Sequence, residues 1–474
     1  MEEKKPHVVC VPFPAQGHIN PMLQLAKLLH SRGFFITFVH TDYTHKRLST
    51  LDSLDGFRFE VISDGFSPST VGEVQEYRNA EQLCQSVKEN CVASFRDLLM
   101  KLHHPSDGHR VTCVVSDPTM TFKVPEEMGI PEVIFCPIAA SGFMAFTQYR
   151  ELMRRGLVPL KDESCISNGY LDTIIDWIPG MRDIRLRDLG SYLQTTDPKD
   201  FMFNFIADVC QNTLTASAII FNTFEDLEDE VLHGIRSISP RIYTIGPLSL
   251  QCHLLPNNAL KSARFSMWKE ETECLKWLDS HEAGSIIYVN FGSLTSLTAN
   301  QFLEFAFGIV NSKYPFLWVI RPNLVMGGHT NLPQELMDEI EGRGMVVGWC
   351  PQEQVLAHPS IAAFLTHCGW NSTLESISFG VPMLCWPFLG EQQTNCRYAC
   401  HNWGVGMEIN NNARREEIEA LIKEMMGGEK GKEMRKKALS WKESAGNSIE
   451  EGGSSHTNLE LLIQELLHLG DFSN

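Results

Sequence analysis

Residues 349–392 concentrate more chemistry than any other part of the chain. The stretch begins Trp349-Cys350-Pro351-Gln352 and continues Thr366-His367-Cys368-Gly369-Trp370-Asn371-Ser372-Thr373-Leu374-Glu375. It closes Pro387-Phe388-Leu389-Gly390-Glu391-Gln392. A strand ending at Thr366 turns through Gly369 into a helix, for which Asn371 or Ser372 is the expected cap. Backbone N–H groups at such a helix start, reinforced by its dipole, make a pyrophosphate site. His367 can donate to a phosphate oxygen, and Asn371 and Ser372 add side-chain donors. A flat Trp349 at another strand end can stack a base, and the Glu375 carboxylate can take a ribose diol. All of these groups fall at carboxyl ends of strands, where open α/β sheets bind ligands.

A second constellation pairs His18 with Asp117. His18 lies in the loop Pro14-Ala15-Gln16-Gly17-His18-Ile19-Asn20-Pro21, and Asp117 ends the strand-like Thr112-Cys113-Val114-Val115-Ser116. A neutral imidazole can remove a proton from a hydroxyl near neutral pH. A carboxylate behind its other nitrogen fixes the tautomer and stabilises the imidazolium as it forms. Taken alone, each residue has a plainer reading. His18 is one of 17 histidines, and a histidine near a helix start is commonly a cap or surface group. Asp117 precedes Pro118, and Asp-Pro favours turns.

The elements that must hold these groups follow an α/β rhythm of short apolar strands and longer amphipathic segments. Residues 7–13 (HVVCVPF) read as a buried strand, Asn20-Pro21 as a helix N-cap with a first-turn proline, and residues 34–40 (FFITFVH) as the next strand. After residue 280 the pattern resumes with strands at 285–291, 316–320, 345–349, 361–366 and 383–387. Thr298 with Gln301 forms a capping box for a helix among them. At 474 residues the chain exceeds what one core usually supports. The division expected is 1–245 for a first Rossmann-like domain, 246–265 for a linker without periodicity, 266–453 for a second Rossmann-like domain, and 454–474 for a terminal helix packing back on the first.

Composition narrows the function classes. A formal charge of −18 repels nucleic acid and anionic membrane surfaces, so any phosphate site must be built locally. The N-terminus carries no apolar signal core and no stretch is long enough to span a bilayer, so the expected location is cytoplasmic. Fourteen cysteines, scattered and without a Cys-x-x-Cys pair, read as free thiols and not as a zinc site. No Asp-x-Asp metal motif occurs. Gly427-Gly428-Glu429-Lys430-Gly431-Lys432 has the wrong spacing for a P-loop and reads as a link between helices. Gly404-Val405-Gly406 lacks the third glycine of a dinucleotide fingerprint, which argues against an oxidoreductase. A hydrolase would need a Gly-x-Ser-x-Gly elbow that is absent.

The 349–392 stretch resembles the signature box of the plant secondary-product UDP-glycosyltransferases nearly position for position. The resemblance runs from Pro14-Ala15-Gln16-Gly17-His18 to Gly452-Gly453-Ser454-Ser455. It implies a two-domain GT-B fold and an inverting, metal-independent transfer of a sugar from UDP-sugar, needing no cofactor. By that likeness Trp349 stacks uracil with Cys350 offering backbone bonds, and Gln352 and Glu375 hold the ribose. His367, Asn371, Ser372 and Ser293 hold the diphosphate, while Trp370, Glu391 and Gln392 face the sugar. Glu391 stands where the family more often has Asp. Gln392 is the family's usual companion of glucose, which makes glucose the first donor to name. His18 would be the base and Asp117 its orienting partner, converting an α-linked donor to a β-linked product. The likeness is nearest to the branch acting on terpenoid alcohols, cyanohydrins and related hydroxyls. Flavonoid or phenolic acceptors, and a non-catalytic UDP-sugar binder, are the alternatives, and a monomer is the family-level expectation. The acceptor pocket is expected from the first domain, in loops 63–77, 144–160 and 183–194. Phe143, Met144 and Phe146 are equally compatible with pocket and with core.

Overall fold

The computed structural model describes residues 5–45, 55–65, 80–104, 109–121, 123–256, 264–327 and 333–471. Val8, Val9, Cys10 and Val11 are fully buried, as a strand covered by helices on both faces requires. They form β1 (His7–Val11), which is followed by β2 (Phe35–Thr41), β3 (Phe57–Ile62), β4 (Val111–Ser116) and β5 (Glu132–Cys136). A small antiparallel pair, β6 (Ile174–Ile175) and β7 (Ile184–Arg185), stands apart from this sheet. With β8 (Ile219–Phe221) and β9 (Ile242–Thr244) the first sheet has seven strands in the order β3-β2-β1-β4-β5-β8-β9. Its pairings are all parallel.

The second half repeats the plan. Strands β10 (Ile286–Asn290), β11 (Phe316–Val319), β12 (Gly344–Val347), β13 (Ile361–Thr366), β14 (Met383–Cys385) and β15 (Gly406–Glu408) are ordered β12-β11-β10-β13-β14-β15. They too pair only in parallel. In each sheet the order reverses beside the first strand, between β1 and β4 and between β10 and β13. Doubly wound sheets open a ligand crevice at that reversal, outside the carboxyl ends of the strands. His18 and Asp117 follow β1 and β4, whereas Ser293 and His367 follow β10 and β13. The topology therefore sets both chemical constellations at switch points.

One apolar cluster runs across both halves, joining Phe143, Phe221 and Phe224 to Tyr288, Trp370 and Trp403. Two indoles stitch this seam, Trp370 Nε1 donating to the Asn222 carbonyl and Trp403 Nε1 to that of Leu227, each at 2.9 Å. The terminal helix Ser454–Asp471 crosses back to the first sheet, where Leu459, Leu462, Ile463 and Leu466 join its core. Asn458 Nδ2 donates to Thr244 Oγ1 at 2.9 Å beside them. No helix among the described residues is long and apolar enough to cross a membrane.

Three expectations shift. The first helix begins at Gln16, with Ala15 as its cap, so Pro21 lies inside the helix instead of at its first turn. The helix after β13 spans Trp370–Phe379 and is capped by Gly369 with no side-chain bond, not by Asn371 or Ser372. The stretch 246–265 is not uniformly irregular. It contains the helix Leu248–His253, whose Leu248 and Cys252 join the first core together with Phe265, while residues 257–263 lie outside the described residues. The glycine pair at 427–428 joins the helices Arg415–Gly427 and Glu429–Ile449.

Candidate active site

His18 Nδ1 lies 2.7 Å from Asp117 Oδ2. A carboxylate can only accept, so Nδ1 carries the proton and Nε2 is left as the basic atom. The other carboxylate oxygen, Oδ1, accepts from the Thr119 backbone N–H at 3.0 Å and from its hydroxyl at 2.6 Å. Asp117 is thus held on both oxygens and is 1% exposed, whereas the His18 ring keeps 27% of its surface. Burial opposes charge on the imidazole. The Asp117 carboxylate, through charge and hydrogen bond, and the nearby Glu391 outweigh it and hold the His18 pKa above the ordinary 6.5. Burial in turn raises the Glu391 carboxyl, partly offset by its own backbone N–H, by His18 and by Asn395.

Across the cleft, the helix Trp370–Phe379 begins without a side-chain cap. Its first N–H groups are therefore not spent on a local side chain. The His367 ring is clamped between two glycines. A Cβ on Gly292, whose φ is +69°, would meet the ring at 2.4 Å, and one on Gly369 would meet its Nε2 at 2.5 Å. Burial and the Arg321 guanidinium hold the His367 pKa down at about 4, so the ring is neutral. Arg321 is buried beneath the same loop and donates through Nε to the Gly292 carbonyl at 2.8 Å. It supplies local positive charge in a molecule whose net charge is strongly negative.

A side-chain network fixes Gln352. Its carbonyl oxygen accepts from Tyr288 at 3.1 Å and Asn290 at 2.9 Å, while its nitrogen donates to Ser372 Oγ at 2.9 Å and Glu375 Oε2 at 2.8 Å. Burial, reinforced by the Glu353 carboxylate, pushes the Glu375 pKa up to about 8. Trp349 lies against Trp268 with ring centres 4.7 Å apart. The Gln392 carbonyl accepts from the Phe388 and Leu389 N–H groups at 2.8 and 2.9 Å, which leaves its amide nitrogen as the group free to meet a ligand. Trp370 faces the cleft with its ring only, since its N–H is committed to Asn222. Asn371 also reaches across, Nδ2 donating to the Gly17 carbonyl at 2.8 Å.

All thirteen residues singled out in the sequence line one cavity of about 400 Å³, within the range of small-molecule sites. They are His18, Asp117, Ser293, Trp349, Cys350, Gln352, His367, Trp370, Asn371, Ser372, Glu375, Glu391 and Gln392. On the first domain's side Phe13, Phe143, Phe146, Tyr192, Met202, Ile206 and Val209 add an apolar wall. Phe13 lies against the His18 ring, with centres 5.0 Å apart. Of the ambiguous trio, Phe143 and Phe146 line the cavity, while Met144 is fully buried in the core. Loop 183–194 contributes Tyr192, and residues 66–77 of the first expected loop lie outside the described residues.

Sequence reasoning missed several groups. Thr119 holds Asp117, Asn290 and Tyr288 orient Gln352, and a polar cluster spans the cleft where Gln24 and His253 meet Glu353 at 3.3 and 3.2 Å. An Asn closing a buried strand, as Asn290 closes β10, was the one available signal. The others are recognisable only from the pairing of the two sheets.

Residues 8–440 match the family model described as UDP-glucoronosyl and UDP-glucosyl transferase. The chain is 50% identical to 7-deoxyloganetin glucosyltransferase of Gardenia jasminoides and 49% identical to (R)-mandelonitrile beta-glucosyltransferase of Prunus dulcis. Each comparison covers 98% of both chains. Among solved structures it is similar to Os79 of O. sativa in complex with UDP, with a TM-score of 0.81 at 27% identity over 97% of this chain and 100% of that one. Phytolacca americana UGT2 complexed with UDP-2fluoro-glucose and pterostilbene gives a TM-score of 0.78 at 27% identity, over 97% and 99%.

Proposed function

Because the chain belongs to the UDP-glucoronosyl and UDP-glucosyl transferase family, we propose that its cleft holds UDP-glucose against the second sheet and a small lipophilic alcohol against the first. The protein is a UDP-sugar-dependent glucosyltransferase of GT-B fold. In the proposed arrangement, uracil stacks on Trp349 beside the Cys350 backbone, and the ribose hydroxyls meet Gln352 and Glu375. The diphosphate lies at the start of the helix Trp370–Phe379, with His367, Asn371, Ser372 and Ser293 around it. The sugar faces Trp370, Glu391 and Gln392. His18 Nε2 takes the acceptor's hydroxyl proton while Asp117 stabilises the imidazolium. The acceptor oxygen bonds to the anomeric carbon, the bond from that carbon to the diphosphate breaks on the opposite face, and a β-glucoside and UDP result. Charge on the departing UDP falls on fixed backbone and side-chain donors, an electrostatic role that requires no metal. We assign residues 1–245 to the acceptor side and 266–453 to the donor side, acting as a monomer.

The observation that carries this reading is the 2.7 Å His18–Asp117 pair in the same cavity as the phosphate-type helix start. The apolar wall beside His18 favours a lipophilic acceptor, and the names of the relatives direct the first choice towards iridoid and cyanohydrin hydroxyls. The test is product mass spectrometry with UDP-glucose and a pooled set of terpenoid, cyanohydrin and phenolic alcohols, in the presence of chelator. One added hexose on an alcohol is the expected result, and the wild type's product identifies the acceptor class. His18→Ala should lower turnover by on the order of 10²- to 10⁴-fold while UDP binding persists. UDP binding without any product in the wild type would favour the non-catalytic binder.

A further inference from the structure

Three cysteines at no recognisable motif spacing meet at one point beneath the candidate donor site. Cys368 sits in the turn after β13 with φ of +64°, Cys385 ends β14, and Cys396 lies in the helix Gln392–Arg397. Their Sγ atoms all lie within 4.8 Å of one another, and the side chains are 1%, 0% and 2% exposed. Cys400, about one turn after Cys396, brings a fourth thiol beside this group. It is the only one of the fourteen cysteines that is not fully buried, so it offers a way in from solvent.

A buried cysteine by itself packs as a small hydrophobe, and Cys10 or Cys113 in the first sheet needs no other account. Sulfurs converging from a turn, a strand and a helix are a different observation. Thiolates bonded to one metal ion at about 2.3 Å stand roughly 3.8 Å apart. The separations here come within about an ångström of that, a change side-chain rotation can supply. The donor set is all sulfur, which selects soft or borderline cations and offers nothing to Mg²⁺ or Ca²⁺. We propose that Cys368, Cys385 and Cys396, with Cys400 at the entrance, bind a thiophilic d¹⁰ cation of the Zn²⁺ or Cu⁺ type. Each ligating thiol releases its proton to solvent as the metal–sulfur bond forms.

The position makes the site a control point for the donor. The Cys368 carbonyl accepts from Asn395 Nδ2 at 2.9 Å, and the next residue, Gly369, caps the helix that carries Trp370, Asn371, Ser372 and Glu375. Drawing Cys368 Sγ towards a metal pulls on that turn and weakens UDP binding. This second half rests on the donor assignment above, whereas the metal site does not.

The reduced protein is titrated with Cd²⁺, whose thiolate charge-transfer absorption reports sulfur coordination directly, and Zn²⁺ and Cu⁺ are then used as competitors. A single-equivalent end point is expected in the wild type and in C10A/C113A, and its loss in C385A/C396A. C400S serves as the milder variant should the double substitution fail to fold, and is expected to weaken cadmium binding several-fold. Absence of the band, or its survival at full affinity in C385A/C396A, or in C400S if that variant must stand in, overturns the site. Calorimetric UDP titration with and without Cd²⁺ tests the coupling. Several-fold weaker UDP binding in the loaded protein is expected, and unchanged affinity overturns it. Failure of UDP to bind the metal-free protein would instead indict the donor assignment and leave the cadmium result standing.

Discussion

His18 must be neutral to act as a base, and its own neighbours oppose that. Asp117 and Glu391 hold its pKa above 6.5 against the effect of burial, so the basic form predominates only above that raised value. The rate should climb as pH rises through it. Asp117→Asn removes the main source of the raise and lets burial dominate, which moves the acid limb of kcat/KM to lower pH. Turnover falls at the same time by on the order of 10²- to 10⁴-fold, because the ring loses its fixed tautomer. A pH profile of kcat/KM for both proteins decides the matter, and an unmoved limb would detach Asp117 from the base. Glu375 invites the complementary test. With a pKa of about 8 the free carboxyl is protonated at neutral pH and ionised above 8. If the ionised form accepts the ribose hydroxyls, UDP affinity rises between about pH 7 and pH 9 and then levels, and Glu375→Gln flattens the curve. A flat wild-type curve in calorimetric titrations would exclude an ionised Glu375 from ribose binding.

At the scale of elements, what was legible in the sequence and what was not separates cleanly by physical cause. Strands such as β1 and β10 announce themselves because both faces are covered and all but one end residue of the run is apolar. Helix starts do not. Caps expected at Asn20 and at Asn371 or Ser372 stand at Ala15 and Gly369, neither with a side-chain bond. Residue type signals a cap only where the first N–H groups are satisfied locally, and a helix start facing a ligand cleft keeps them open. The displaced start has a consequence. Pro21, now within the helix, has no N–H to give to the carbonyl four residues back, which is that of Gly17. That carbonyl accepts instead from Asn371 Nδ2 of the other half, next door to His18. Pro21→Ala restores the competing donor. The helix gains about 3 kcal/mol on removing an interior proline, while the buried site loses two methylenes, about 1.6 kcal/mol. The melting temperature should therefore rise by a few degrees, while kcat falls several-fold as the link across the cleft weakens. Calorimetry and initial rates measured on one preparation test this, and an unchanged kcat would leave the Gly17–Asn371 bond without a catalytic consequence.

For the molecule as a whole, the sequence reveals two α/β halves but not how they are joined. The apolar wall beside His18 draws Phe13, Phe143 and Met202 from three separate elements, so no spacing along the chain could display it. The terminal helix Ser454–Asp471 shows what the joining requires. Its amphipathic pattern is readable, yet only the structure supplies the surface that its apolar side covers, the core of the first sheet. Leu459, Leu462, Ile463 and Leu466 are each at most 8% exposed there. At about 1.5–3 kcal/mol for each such side chain, the helix contributes up to roughly 6–12 kcal/mol, as much as the net stability of a typical domain. The first half should therefore depend on residues more than two hundred positions away, and the chain's last segment works as part of its first core. Leu462→Ala, fully buried in the native protein, should cost about 2–5 kcal/mol and lower the melting temperature by several degrees. Deleting residues 454–471 should abolish soluble expression, or leave a protein whose second half melts cooperatively while the first does not. Thermal unfolding of the point variant is the more discriminating measurement. A melting temperature equal to the wild type's would mean that the first sheet is stable without the helix, and that the helix only covers it.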